Sequence, residues 1–174
     1  GLGGKRFAVV TCDSGTDSAL AKASAARLIA AGVPAIIGPA ASGITLAVFN
    51  DVAREAGVLV MTPSGTSPAL SDLQDDDLLW RTVPSDAIQG AAIGAHLLAE
   101  GYDRIAVINR DDTYGQGLKG AIQAALCEAG VCDEANYFTR SYPEDGDLQA
   151  QAALLNPLSV FDPEILVLIA FLDD

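Results

Sequence analysis

Short runs of β-branched and aliphatic residues alternate along the chain with alanine-rich stretches whose apolar positions recur every three or four residues. Phe7 to Thr11 predicts a strand, and Asp17 to Ala31 a helix closed by Gly32 ahead of Pro34. Ala35 to Ile37 is a short strand, followed by a helix from Ser42 to Ala56 with Ile44, Ala47, Val48 and Val52 on one face and Gly57 at its end. Val58 to Met61 predicts a strand, and a loop rich in Ser, Pro, Thr and Asp runs from it to Asp77. Leu79 to Val83 is extended, and Ser85 to Glu100 is a helix expected to turn Ile88, Ala91, Ala92, Ala95 and Leu98 inward before Gly101. Ile105 to Asn109, a helix from Gly115 to Ala129 with Gly130, a weaker strand at Asn136 to Arg140, a helix from Asp147 to Leu155 and a strand from Ile165 to Ala170 complete the order. Glycine closes four of these helices, as left-handed C-terminal caps require. Alternation of helices with nearly continuous apolar strands implies a parallel sheet covered on both faces, a doubly wound α/β fold.

Charge sharpens this picture by dividing the chain. The sequence has 174 residues and a formal net charge of −13. Residues 1–82 carry six basic and eight acidic side chains, and residues 83–174 four and fifteen. The shift falls where an extended segment meets a new helix, so the chain reads as two lobes, 1–82 and 83–174, joined by a hinge at Thr82, Val83, Pro84 and Ser85. Ten scattered cations cannot build a nucleic-acid groove, and the same sign of charge disfavours an anionic membrane surface. A content of 50 % hydrophobic residues supplies a core. Residues Gly1 to Arg6 lack the pattern of a signal peptide, so an exported protein is expected to carry its signal outside these residues. Cys127 and Cys132 lie five apart across a turn and can pair, leaving Cys12 odd; equally, all three can be small buried hydrophobes.

Few motifs carry chemistry. Gly115-Gln116-Gly117-Leu118-Lys119-Gly120 matches a dinucleotide fingerprint, but five residues separate it from the preceding strand and Asp111 and Asp112 would repel a diphosphate. His96, the single histidine, sits at a helical position beside Leu97 and Leu98, a structural setting. Asp75-Asp76-Asp77 fits no calcium loop, so a solvated turn is expected, and no metal or cofactor is predicted. Gly38-Pro39-Ala40-Ala41-Ser42-Gly43 lies between strand and helix, where a serine either caps the helix or, with free N–H groups beside it, receives a carboxylate. Met61-Thr62-Pro63-Ser64-Gly65-Thr66-Ser67-Pro68 follows the next strand. Loops at the carboxyl ends of adjacent parallel strands converge, so Ser42, Ser64 and Thr66 are expected to face one pocket.

From Val33 through Ala129 the chain resembles the type I periplasmic binding proteins of the leucine/isoleucine/valine-binding kind. The resemblance rests on Ile36-Ile37-Gly38-Pro39 with Ser42, Ala56-Gly57-Val58 leading to Thr62–Pro68, Trp80-Arg81-Thr82-Val83-Pro84 with Asp86 and Gln89-Gly90, and Asp111–Gly117. It implies a two-lobed Venus-flytrap clamp, not an enzyme, closing on a small amino-acid-like ligand, branched-chain or otherwise aliphatic. The carboxylate-binding serine falls on Ser42, the loop that holds the α-amino and carboxylate groups on Ser64 and Thr66, and the tyrosine of the other lobe on Tyr114. It implies further a membrane permease of an ABC transporter as partner and a periplasmic or extracellular location, free or lipid-anchored. Family members are roughly twice as long, and Phe7–Thr11 matches their second strand. The chain is therefore expected to be a fragment, one that can complete its sheet by pairing with another copy. Two alternatives remain at this stage: a sensory ligand-binding domain of the same fold, and a nucleotide-binding α/β enzyme using Gly115–Gly120.

Overall fold

The computed structural model describes residues 2–4, 6–144 and 148–171, and its contacts divide into two units. One comprises residues 1–65 and 74–82, the other residues 66–73 and 83–174.

In the first unit, helix α1 (Ser18–Ala30) begins where extended Asp17 accepts the Leu20 N–H at 2.7 Å, satisfying a donor that the first turn leaves open. Strand β1 (Ala35–Ile37) leads to helix α2 (Ser42–Val48), which opens into a wider π turn over Phe49–Ala53, its bond running from the Arg54 N–H to the Phe49 carbonyl at 2.9 Å. Strands β2 (Leu59–Thr62) and β3 (Leu79–Arg81) complete a parallel sheet in the order β1-β2-β3, in which Ile36 pairs with Val60 and Met61 with Trp80. Val48, Phe49, Ala53 and Val60 are almost fully enclosed and form its core with Ala21 and Ala25 of α1. The expected face of the second helix is displaced: Ile44, Ala47 and Val52 are only half-buried, because the π turn rotates Phe49 and Ala53 inward. Phe7–Thr11 forms no strand. It is exposed, 74 % at Phe7 and 89 % at Val9, and a strand needs a neighbour for its backbone groups, which the described residues do not offer it.

The second unit is built on strand β4 (Ile105–Arg110), flanked in parallel by β5 (Tyr137–Tyr142) and β6 (Ile165–Ile169) in the order β5-β4-β6. Ile105 through Asn109 are buried throughout, as a strand paired on both sides and covered on both faces must be. Helix α4 (Thr113–Glu128) lays Leu118, Ile122 and Leu126 on that core, each worth about 1.5–3 kcal/mol on full burial. Helix α3 (Asp86–Ala99), started by the Ser85 hydroxyl accepting the Ala87 N–H, packs against α4 in an unexpected orientation. The residues it buries are Asp86, Gly90, Gly94 and Leu97, while Ile88 is 67 % exposed and Ala91, Ala92 and Ala95 face outward. Close approach decides this: a Cβ on Gly90 would stand 2.4 Å from Ala121 Cβ and one on Gly94 2.6 Å from Ala125 Cβ. The two backbones meet through glycine and alanine, and contact over a tight seam outweighs the apolar stripe.

Helix α5 (Leu148–Phe161) runs on through Pro157 past the expected end at Leu155, with Phe161 packed 5.4 Å from Phe138 between ring centroids; Asp147, its expected start, lies outside the described residues. Helix α4 starts two residues ahead of Gly115, because Asp112 accepts the Gly115 N–H at 2.7 Å as its cap. Gly32, Gly57, Gly101 and Gly130 stand at φ of 80°, 66°, 81° and 79°, the left-handed ends read from the sequence. Cys127 and Cys132 form a disulfide across the last of these turns, and Cys12 is free and exposed.

Candidate ligand site

Two loops at the carboxyl ends of β1 and β2 are bound together by buried hydroxyls. Thr62, the last residue of β2, donates its Oγ1 proton to the Pro39 carbonyl at 2.7 Å and accepts the Gly65 N–H at 2.9 Å. Thr45 of α2 has the Ala41 carbonyl at 3.0 Å and the same Pro39 carbonyl at 3.1 Å within reach of its one hydroxyl proton, and both threonines are fully enclosed. Ser64 donates to the Ala40 carbonyl at 3.0 Å, which fixes it two residues from Ser42 along the facing loop. Ser42 is 2 % exposed and is the first residue of α2, the cap position being Ala41. Reading Ser42 as a helix cap is therefore corrected: the chain reaches helical geometry one residue earlier. Within this unit the Ser64–Ala40 bond links the two strand-end loops that carry Ser64 and Ser42. Thr45 and Thr62 carry only a faint signal in the sequence, a threonine on the first turn of a helix and another ending the next strand.

Thr66 belongs to the second unit. Its carbonyl accepts the Asp86 N–H at 2.8 Å, and Ser67 beside it is 1 % exposed and caps a short 3-10 turn over Pro68–Leu70. Tyr114 lies in the first turn of α4, half-buried, its ring stacked on Phe171 at 5.6 Å and 13°. Burial, then the carboxylates of Asp86 and Asp112, raise its pKa above the ordinary tyrosine value, so its hydroxyl is a neutral donor at physiological pH. Arg110 is the adjacent cation. Its guanidinium lies 4.5 Å from the Phe171 centroid, 3.0 Å from Asp112 and 3.5 Å from Glu144, so an arriving carboxylate would compete with two resident ones.

Thr82 donates its N–H to the Thr62 carbonyl at 3.2 Å in the first unit, and Val83, Pro84 and Ser85 belong to the second. The glycine string has no phosphate geometry. All three glycines lie inside α4, where a Cβ on Gly115 would overlap the Arg110 carbonyl, one on Gly117 would meet Ser67, and one on Gly120 would touch nothing. Among the described residues no group of three metal-ligating side chains occurs, and no helix is long and apolar enough to cross a membrane. His96 lies on the exposed side of α3, 3.9 Å from Glu100.

Comparison with known proteins assigns these parallel α/β units to a family. The chain matches the model of the family described as periplasmic binding protein over residues 1–157, and it belongs to that family. It is 29 % identical over 137 residues to the Leu/Ile/Val-binding protein BraC3 of Rhizobium johnstonii, covering 78 % of this chain and 37 % of that protein. It is 31 % identical over 132 residues to a Leu/Ile/Val/Thr-binding protein of Salmonella typhimurium, covering 75 % and 36 %. The crystal structure of a leucine-binding protein from Thermotoga maritima superposes with a TM-score of 0.81 at 26 % identity, covering 95 % of this chain and 45 % of the other. The chain thus spans less than half the length of these relatives.

Proposed function

We propose that the protein containing this chain is an extracytoplasmic solute-binding protein of an ABC transporter that takes an aliphatic amino acid, branched-chain in the first instance, and delivers it to a membrane permease. The observation that carries the reading is the threonine-locked pair of loops holding Ser42 and Ser64. Ser64 has committed its proton to the Ala40 carbonyl, so it presents lone pairs, which suit an α-ammonium group. Ser42 is the carboxylate donor in this proposal. Thr66 and the neutral hydroxyl of Tyr114 are the contacts contributed from the second unit, and the Thr82–Ser85 connection is the hinge. The relatives named for leucine, isoleucine and valine support the ligand class. The Cys127–Cys132 disulfide supports an oxidising compartment, where such bonds persist.

Isothermal titration of the intact protein with leucine, isoleucine, valine and, as a charged control, glutamate tests the reading. Aliphatic amino acids should bind, and Ser42→Ala should weaken leucine binding by about 1–3 kcal/mol, the loss of a hydrogen bond to a charged group. Absence of heat with every aliphatic amino acid would remove the proposal.

A further inference from the structure

The glycine at position 117 does a task that neither helix propensity nor nucleotide binding explains. Glycine is the poorest helix former after proline, and Gly117 lies inside α4 at a position from which a side chain is excluded. What excludes it is the loop bearing Thr66. A Cβ on Gly117 would stand 2.7 Å from Ser67 Oγ, 2.9 Å from Pro68 Cδ and 3.4 Å from Ser67 Cβ. Ser67 and Leu70 are buried, and the proline ring is stiff, so this neighbour cannot yield as the tip of a long side chain would. From the other side the Thr66 carbonyl takes the Asp86 N–H of α3. The segment Thr66–Leu73 is thereby seated on α3 and α4 and grouped with the second unit, while Ser64, two residues earlier, is tied to Ala40 in the first.

We infer that Gly117 is a positioning residue of the ligand site, one that sets the placement of Thr66 by letting α4 approach the Ser67–Pro68 backbone. This rests on the function proposed above. Gly120, in the same helix with open space around it, is the built-in control.

The test uses the intact protein and two readouts. Without ligand, Gly117→Ala should raise amide hydrogen exchange at Leu70 and Ser71, whose N–H groups bond to the Ser67 and Pro68 carbonyls at 3.1 and 2.8 Å, and leave β4 amides protected. With leucine, the same variant should raise Kd about tenfold, a loss of about 1.4 kcal/mol, while Gly120→Ala changes neither readout. Should Gly117→Ala exchange throughout the unit, the double variant with Ser67→Ala, which removes the nearest atom, carries the test and should recover part of both native values. Wild-type exchange and affinity in Gly117→Ala would overturn the inference. If the wild type binds no aliphatic amino acid, the functional proposal fails, and the exchange measurement still decides whether Gly117 seats the loop.

Discussion

Thr62 concentrates the local chemistry of the first unit in one hydroxyl. It bridges the Pro39 carbonyl and the Gly65 N–H, so both loops at the strand ends depend on it. Thr62→Val keeps the volume and strands a buried N–H, which should cost about 1–3 kcal/mol of stability in urea denaturation and weaken leucine binding as the loops loosen. Ser42, Ser64 and Thr66 could be singled out from the sequence because hydroxyls after parallel strands are a recognisable pattern, whereas Tyr114 was named by the family resemblance alone. The threonines that hold the loops could not, because a buried strand-end Thr reads as an ordinary β-former until its partner carbonyls are known.

At the scale of elements, periodicity located nearly every helix and strand but misjudged the faces of two helices, α2 and, more sharply, α3. The apolar residues of α3 predicted Ile88 inward, whereas Gly90 and Gly94 are the positions that meet α4. Hydropathy weighs side-chain area and gives glycine none, so a seam made by the absence of side chains is invisible to it. Gly94→Val should therefore lower the unfolding free energy by about 1–3 kcal/mol or more through overpacking. Ile88→Ser should change it by no more than about 0.5 kcal/mol, both read by urea denaturation. Phe7–Thr11 errs in the opposite sense: its composition is that of a strand, but a ladder needs a second chain segment that no local pattern can supply.

For the molecule as a whole, the ordered motif series from Ile36 to Gly117 made the family legible, since the spacing of many weak signals is specific where each alone is not. The seating of Thr66–Leu73 on α3 and α4 was not legible, because chain order places that segment between strands of the other unit. Stability against pH is also a property of the whole chain, and two groups set expectations. Burial lifts Tyr137 to about 12 from 10.0, the nearby Thr139 hydroxyl opposing. A raised folded-state pKa means that its contribution is complete below about pH 10 and is lost as pH rises towards 12, roughly 2–3 kcal/mol in all. Urea denaturation at pH 8 and pH 12 should show a larger fall in the wild type than in Tyr137→Phe, the fall left in the variant including that of Tyr114, whose pKa is raised as well. Glu164 behaves with the opposite sign: the N–H groups of Asp103 and Arg104 lower its pKa, so its contribution holds at neutral pH and goes as acid protonates it. The contact between α3 and α4 also bears on how such a protein diverges. Where Gly94 faces Ala125, growth at the glycine should be tolerated only with a compensating loss at the alanine, whereas Gly90, whose added Cβ would also stand 2.8 Å from the Ala121 and Ile122 backbone, should stay glycine, and Ile88 on the open side of the same helix drifts independently.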